Sequence, residues 1–345
     1  MSKQKPIPLQ HNESYWLLDE ALLRAIKKDL TGKCFSTYPD YERLKGALAH
    51  YAKVPKEFVF LSAGSDAAIS TLAELCARDH MVAILPIPAF YGFERILSRH
   101  GVKTVYTEYT EHDGAFVFPL EKTIAELRPN RVLFLSNPNN PLGCALLEND
   151  LARLLAAAKK QRALVVLDEA YFEFCGDTRF SHIDSQPLIV LRTLSKAFGL
   201  SGARVGYALG RPQIIKRMVR LQLPWPVAHE SVQAALTLFA HLPDVHRRRM
   251  ALIRERGSFI RDLEGIEGVL PYPSLTNFVL ARVPNAQMLT RKLAERGIYV
   301  AMPASTSALT STRKFLRSCV RMSIPAPSDR QTVVSAIREC VERSH

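Results

Sequence analysis

Residues 58–66 read Phe-Val-Phe-Leu-Ser-Ala-Gly-Ser-Asp, and an alanine- and leucine-rich segment continues from there to Cys76. An unbroken apolar run, a glycine turn and a helical composition in that order spell strand, tight turn and helix. The first amides of such a helix point outward at the positive end of its dipole, so Ser65 and Asp66 are placed to receive an anion. Further apolar runs occupy residues 81–85, 131–135, 163–167 and 188–191, separated by segments long enough for crossover helices. None alternates with polar residues, as expected of strands buried on both faces. The pattern predicts an α/β fold: a mostly parallel sheet between helical layers, its ligand groups in loops beyond the carboxyl ends of the strands.

Outward from this core, residues 41–52 place Leu44, Leu48 and Tyr51 on one helical face. Helical patterns return at 212–221 and 231–240, and an arginine-rich stretch begins at Val245. His246-Arg-Arg-Arg249 suggests a basic patch, but Ile253, Phe259, Ile260 and Leu263 recur at helical spacing. The arginines then form the solvated face of a long connecting helix. Past Gly265, strand-like 277–281, helical 286–295, strand-like 316–324 and a final amphipathic stretch predict a small α/β domain. The expected organisation is an N-terminal arm (1–40), a large ligand-binding domain with the connecting helix (41–264) and a small C-terminal domain (265–345).

The 345 residues are 47% hydrophobic, enough for a sizeable core, which excludes disorder as the main state. Lys and Arg number 46 against 33 Asp and Glu, giving +13. That charge suits nucleic acid, acidic membranes or small anionic ligands equally. No winged-helix segment, zinc spacing or alternating aromatic and basic ribbon supports a nucleic-acid partner. There is no secretory apolar core at the start and no run approaching a membrane span, so a soluble cytoplasmic protein is expected, with no membrane partner. The 6 cysteines are widely spaced, which predicts reduced thiols and no metal site.

Residues 193–207 read Thr-Leu-Ser-Lys-Ala-Phe-Gly-Leu-Ser-Gly-Ala-Arg-Val-Gly-Tyr. Asn137-Pro-Asn-Asn-Pro-Leu-Gly143 and Asp168-Glu-Ala-Tyr171 precede them; Asn277-Phe278 and Val320-Arg-Met-Ser323 follow. In this order the segments resemble the fold type I pyridoxal-phosphate aminotransferases of class I/II over nearly the whole chain, and most nearly the histidinol-phosphate aminotransferase and threonine-phosphate decarboxylase group. The resemblance implies an aspartate-aminotransferase-like fold, pyridoxal 5'-phosphate as cofactor, amino acid and 2-oxo acid substrates, and a homodimer with shared active sites.

By this resemblance Lys196 is the covalent anchor of the cofactor and the proton shuttle at the substrate α-carbon. Asp168 faces the protonated pyridine nitrogen, which fits a carboxylate that closes an apolar run and needs a cation if buried. Asn140 and Tyr171 hydrogen-bond the phenolic oxygen, and Phe90 stacks on the ring, with Tyr91 as its alternative. Thr193, Ser195, Arg204 and the Ser65 and Asp66 amides hold the phosphate. Thr193 stands where the family commonly has serine. Tyr38 reaches a neighbouring subunit's phosphate. Arg321 clamps the substrate carboxylate, with Arg317 as a substitute, and Asn277 lies beside it. Each has a plainer reading: a surface lysine, a helix-capping aspartate, a turn asparagine, a core tyrosine or phenylalanine, a salt-bridged arginine.

Two departures bear on the substrate. The family's Asn-Glu-Asn-Pro-Tyr opening is replaced by Asn12-Glu-Ser-Tyr-Trp16, which puts the Trp16 indole where a phosphate ligand is expected. After Gly297-Ile-Tyr-Val300 the phosphate-ester enzymes commonly carry arginine, whereas this chain has Ala301. A pocket lined by Trp16, Trp225 and Tyr299 is one outcome; compensation by Arg313 or Lys314 is another. The expected activity is amino-group transfer from an amino acid to a 2-oxo acid. The alternative is decarboxylation or a related lyase reaction, because the same cofactor breaks whichever bond is held perpendicular to its ring.

Overall fold

A computed structural model describes residues 5–175, 187–305 and 316–342. Its centre is a seven-stranded sheet of β1 (Val59–Ser62), β2 (Val82–Ile87), β3 (Thr104–Glu108), β4 (Arg131–Ser136), β5 (Leu164–Asp168), β6 (Leu188–Thr193) and β7 (Gly206–Leu209). The spatial order is β1-β7-β6-β5-β4-β2-β3. Neighbours pair in parallel except at β7, which runs antiparallel to both β1 and β6. The chain thus crosses from one edge to the other after β1, turns back after β3, and walks through β4 to β7 until it closes on β1.

β4, β5 and β6 are buried along nearly their whole length. Leu133, Leu135, Val165, Leu167 and Val190 face a core shared with the helices Glu42–Ala52, His229–Ala240 and Leu242–Glu264. Phe134, Val166, Ile189 and Leu191 face the helices Gly64–Arg78, Tyr91–Arg99 and Pro212–Leu221. Each such side chain contributes about 1.5–3 kcal/mol on burial, which is why these strands lack the polar residues of a one-sided sheet.

The smaller C-terminal α/β part has β8 (Leu270–Pro271), β9 (Phe278–Arg282) and β10 (Cys319–Ser323) in antiparallel register, with the helices Ala286–Glu295 and Arg330–Glu342. The helix Leu242–Glu264 leads into it; Val245, Leu252, Phe259 and Leu263 are buried while Arg247 lies exposed. From the other end of the chain, Ile7 and Pro8 pair in parallel with Ile298 and Tyr299, and Leu9 accepts a hydrogen bond from the Ser323 amide at 2.8 Å. No described helix is long and apolar enough to cross a membrane. Among the described residues the cysteines form no disulfide, and no cluster of metal-ligating side chains occurs.

Candidate active site

The carboxyl ends of β1, β5 and β6, with the loops after β2 and β4, surround a cavity of about 200 Å³ that also takes in Arg321 from β10. Two glycines shape its wall at the start of the helix Gly64–Arg78. Gly64 has φ +75°, and a Cβ there would lie 2.6 Å from the Arg204 guanidinium. Gly206, opposite Ser62 and Thr193, would bring a Cβ within 2.3 Å of the Gly64 carbonyl carbon and 2.4 Å of the Ser65 nitrogen. Only glycine lets β7 pass under the first turn of the helix Gly64–Arg78. Ser65 and Asp66 thereby reach the cavity, as does Arg204, which bonds Asp66 at 3.3 Å. That pair is half-exposed and worth at most about 1 kcal/mol.

Thr193 ends β6 and donates through Oγ1 to Ser195 Oγ at 2.9 Å, leaving the Ser195 proton for another acceptor. One residue on, Lys196 Nζ donates to the backbone oxygens of Asn12 at 3.0 Å and His11 at 3.4 Å. Burial pulls the Lys196 amine down to about 8, with the Arg321 charge adding to the effect. Asp168 closes β5, and its Oδ1 accepts the Ala170 amide at 3.1 Å. Burial pushes its carboxyl up to about 7 against that hydrogen bond. Among the described residues it forms no ion pair, so its charge waits on a cationic partner.

Arg321 donates to Asn140 Oδ1 at 2.7 Å and to the Gln10 oxygen at 2.9 Å. Asn140 Nδ2 donates in turn to the Tyr171 hydroxyl at 3.3 Å, and Asn12 Nδ2 reaches the same oxygen at 2.9 Å. Phe90 lies against the helix Tyr91–Arg99; a Cβ at Gly92 would come 2.3 Å from its ring. Both Phe90 and Tyr91 line the cavity. Behind it, the outward alternates of Asp168 and Thr193 meet as a buried ion pair, Arg192 to Glu169 at 2.8 Å, each 1% exposed. That pair ties the ends of β5 and β6 together.

Eleven of the residues singled out from the sequence therefore share one cavity: Ser65, Asp66, Phe90, Asn140, Asp168, Tyr171, Thr193, Ser195, Lys196, Arg204 and Arg321. Trp16, Asn277, Tyr38 and Arg317 do not line it. Trp16 packs against the core and its indole donates to the Ile324 oxygen at 3.2 Å, so the ring is held by the small sheet. Asn277 is buried one layer back, donating to the Asn12 oxygen and Ser14 Oγ at 2.9 Å. Tyr38 is 72% exposed and stacks on Trp225 at 4.1 Å. Trp225 and Tyr299 are turned to the surface, and neither lines this cavity. Ala301 pairs through its backbone with Arg321. Arg313 and Lys314 lie outside the described residues. His11 and Asn12 also line the cavity; Asn12 keeps the first asparagine of the family's opening motif but receives no role from the sequence, and nothing in the sequence points to His11.

A sheet of this order, with a lysine, a buried carboxylate and a glycine-led helix start at its strand ends, defines an aspartate-aminotransferase-like α/β protein of fold type I. The chain belongs to the aminotransferase class I and II family, whose model matches residues 4–338. It is 32% identical over 332 residues to a histidinol-phosphate aminotransferase of Caldanaerobacter subterraneus subsp. tengcongensis, covering 95% of this chain and 91% of the relative. The histidinol-phosphate aminotransferase of Sinorhizobium meliloti, solved with pyridoxal-5'-phosphate, superposes with a TM-score of 0.85 at 24% identity, covering 99% and 93% of the two chains. The L-threonine-O-3-phosphate decarboxylase of Porphyromonas gingivalis superposes at 0.81 and 23% identity, covering 97% and 99%. At that identity these two structures establish the shared fold alone.

Proposed function

We propose that the protein is a pyridoxal-phosphate-dependent aminotransferase that moves an amino group from an amino acid to a 2-oxo acid. The observation that carries this is the meeting, in one cavity, of a lysine amine lowered to about 8 with a buried carboxylate raised to about 7 beside a guanidinium. The donor set fits the cofactor: Ser65 and Asp66 amides, Ser195 and Arg204 suit a phosphate, and unpaired Asp168 suits a protonated ring nitrogen. When bound, pyridoxal phosphate supplies an electron sink for the α-carbon.

The chain's own groups do the rest. At neutral pH part of the Lys196 population is uncharged, which suits it first as nucleophile and then as the base that takes and returns the α-proton. Asp168 holds its partner's proton in place. Arg321 offers a planar fork to a carboxylate and fixes the substrate's orientation, and Phe90 covers one face of the cavity. The relatives named histidinol-phosphate aminotransferase support transamination over loss of carbon dioxide.

In the same reading residues 41–264 form the cofactor domain, 265–345 the small domain, and 1–40 an arm that joins a second copy. Exposed Phe35, Tyr38, Leu223 and Trp225 support a homodimer, with Tyr38 reaching the other copy's phosphate site. A panel of amino acids and 2-oxo acids incubated with holoprotein, with products weighed by mass spectrometry, tests the activity. Matched formation of a 2-oxo acid and a new amino acid is expected; an amine with carbon dioxide would overturn it. Borohydride reduction should fix the cofactor to the peptide bearing Lys196, and Lys196→Ala should abolish that adduct.

A further inference from the structure

We infer that Asn12 is a positioning residue for the proposed reaction: its side-chain amide, with that of Asn140, occupies the Tyr171 hydroxyl oxygen and leaves the phenol's proton directed into the cavity. This rests on the functional reading above. The Tyr171 oxygen receives Asn12 Nδ2 at 2.9 Å and Asn140 Nδ2 at 3.3 Å. Asn140 cannot turn its oxygen toward Tyr171, because that oxygen accepts from Arg321 at 2.7 Å. A phenol oxygen has one proton and at most two acceptor positions. With both filled by amides, the proton goes elsewhere, and among the described residues Tyr171 donates to none. Burial pushes the phenol up to about 12, so the proton stays on at any working pH.

Asn12 is itself held from several sides. Its backbone oxygen accepts from Lys196 at 3.0 Å and from Asn277 at 2.9 Å. Its φ of +54° is a left-handed conformation that asparagine tolerates better than most residues. It is 2% exposed, and its own Oδ1 has no partner. A buried amide anchored through its main chain in this way points its donor at one oxygen 159 positions away in sequence. The group it serves is an oxyanion that needs a donor from Tyr171, such as a phenolate on the cofactor.

Asn12→Asp offers Tyr171 an acceptor in place of a donor and should turn the proton out of the cavity. Asn12→Ala removes the donor alone. Wild type, both variants, Tyr171→Phe and Asn12→Asp/Tyr171→Phe are compared by pyridoxal phosphate affinity, by the pH midpoint of the bound cofactor's visible absorption, and by melting temperature. Loss of a directed hydrogen bond predicts about tenfold weaker affinity in Asn12→Asp. The absorption midpoint should move to higher pH, because the deprotonated oxygen loses its donor. In the Tyr171→Phe background the same change should add less than about twofold, since its path is gone. A changed melting temperature with unaltered affinity and midpoint, or an equal shift in the Tyr171→Phe background, would overturn the role of Asn12 alone. Failure of wild type to take up cofactor would overturn the functional reading and this role together.

Discussion

Gly206→Ala is expected to weaken anion binding at the cavity while leaving the fold intact. The new Cβ would stand 2.3 Å from the Gly64 carbonyl carbon and 2.4 Å from the Ser65 nitrogen, where ordinary contact begins at 3.4 Å. Both are backbone atoms that cannot swing aside, so the first turn of the helix Gly64–Arg78 must rise by about 1 Å. Overpacking of this kind costs about 1–3 kcal/mol. An amide moved that far from an anion passes from about 2.9 Å to beyond hydrogen-bond range. Losing one such charge-assisted bond, about 1.5–3 kcal/mol, means roughly ten- to a hundredfold weaker binding. Calorimetric titration of cofactor-free protein with pyridoxal phosphate, run beside thermal melts, reads both quantities. Gly202 is the control: nothing lies within 4 Å of a Cβ there, so Gly202→Ala should bind as wild type. Wild-type affinity in Gly206→Ala would refute the account of how the cavity wall is made.

Asp168→Asn should stabilise the cofactor-free protein in a pH-dependent way. The Asp168 carboxyl is raised from 3.8 to about 7, so across that window the folded state holds a proton that the unfolded state releases. Stability therefore falls as pH rises through the window, and the full penalty, of the order of a few kcal/mol, is present above it. The gain in melting temperature from Asp168→Asn should be small near pH 4 and largest above pH 7; a gain independent of pH would contradict this. Arg321→Gln should raise the pH at which Lys196 becomes reactive from its value of about 8, because a neighbouring positive charge is removed while burial remains. Acylation rates of the Lys196 peptide against pH measure it, and an unmoved midpoint would count against Arg321 as a cause. Leu223→Asp places a charge in the exposed apolar patch and should turn a dimer into monomers in sedimentation equilibrium. A wild-type monomer would remove the dimer from the functional reading.

Much of this molecule is legible in its sequence because its central strands are buried on both sides. The runs through Leu133, Val166 and Val190 have no other role than to be apolar, so they are conspicuous. β3 is the opposite case: an edge strand of Thr, Val, Tyr, Thr and Glu, only one of its five residues fully buried, leaves no apolar run to read. β7 hides for a different reason, being four residues embedded in the segment that carries Lys196 and Arg204. At the site, residues at or just past strand ends, such as Asp168 and Ser195, come with their position in the fold. Asn12 and the Arg192–Glu169 pair do not. Their partners lie far off in the chain, and a single asparagine or arginine carries no sign of what it will touch.

The segment from Leu9 to Asn12 is fastened at one end to Ser323 of the small sheet and at the other to Tyr171 and Lys196 at the large one. Three residues drawn out fully span only about 10 Å. It therefore behaves as a short tether with little slack. Any wide parting of the two sheets must break this tether at one end, either at Ser323 or at Tyr171 and Lys196.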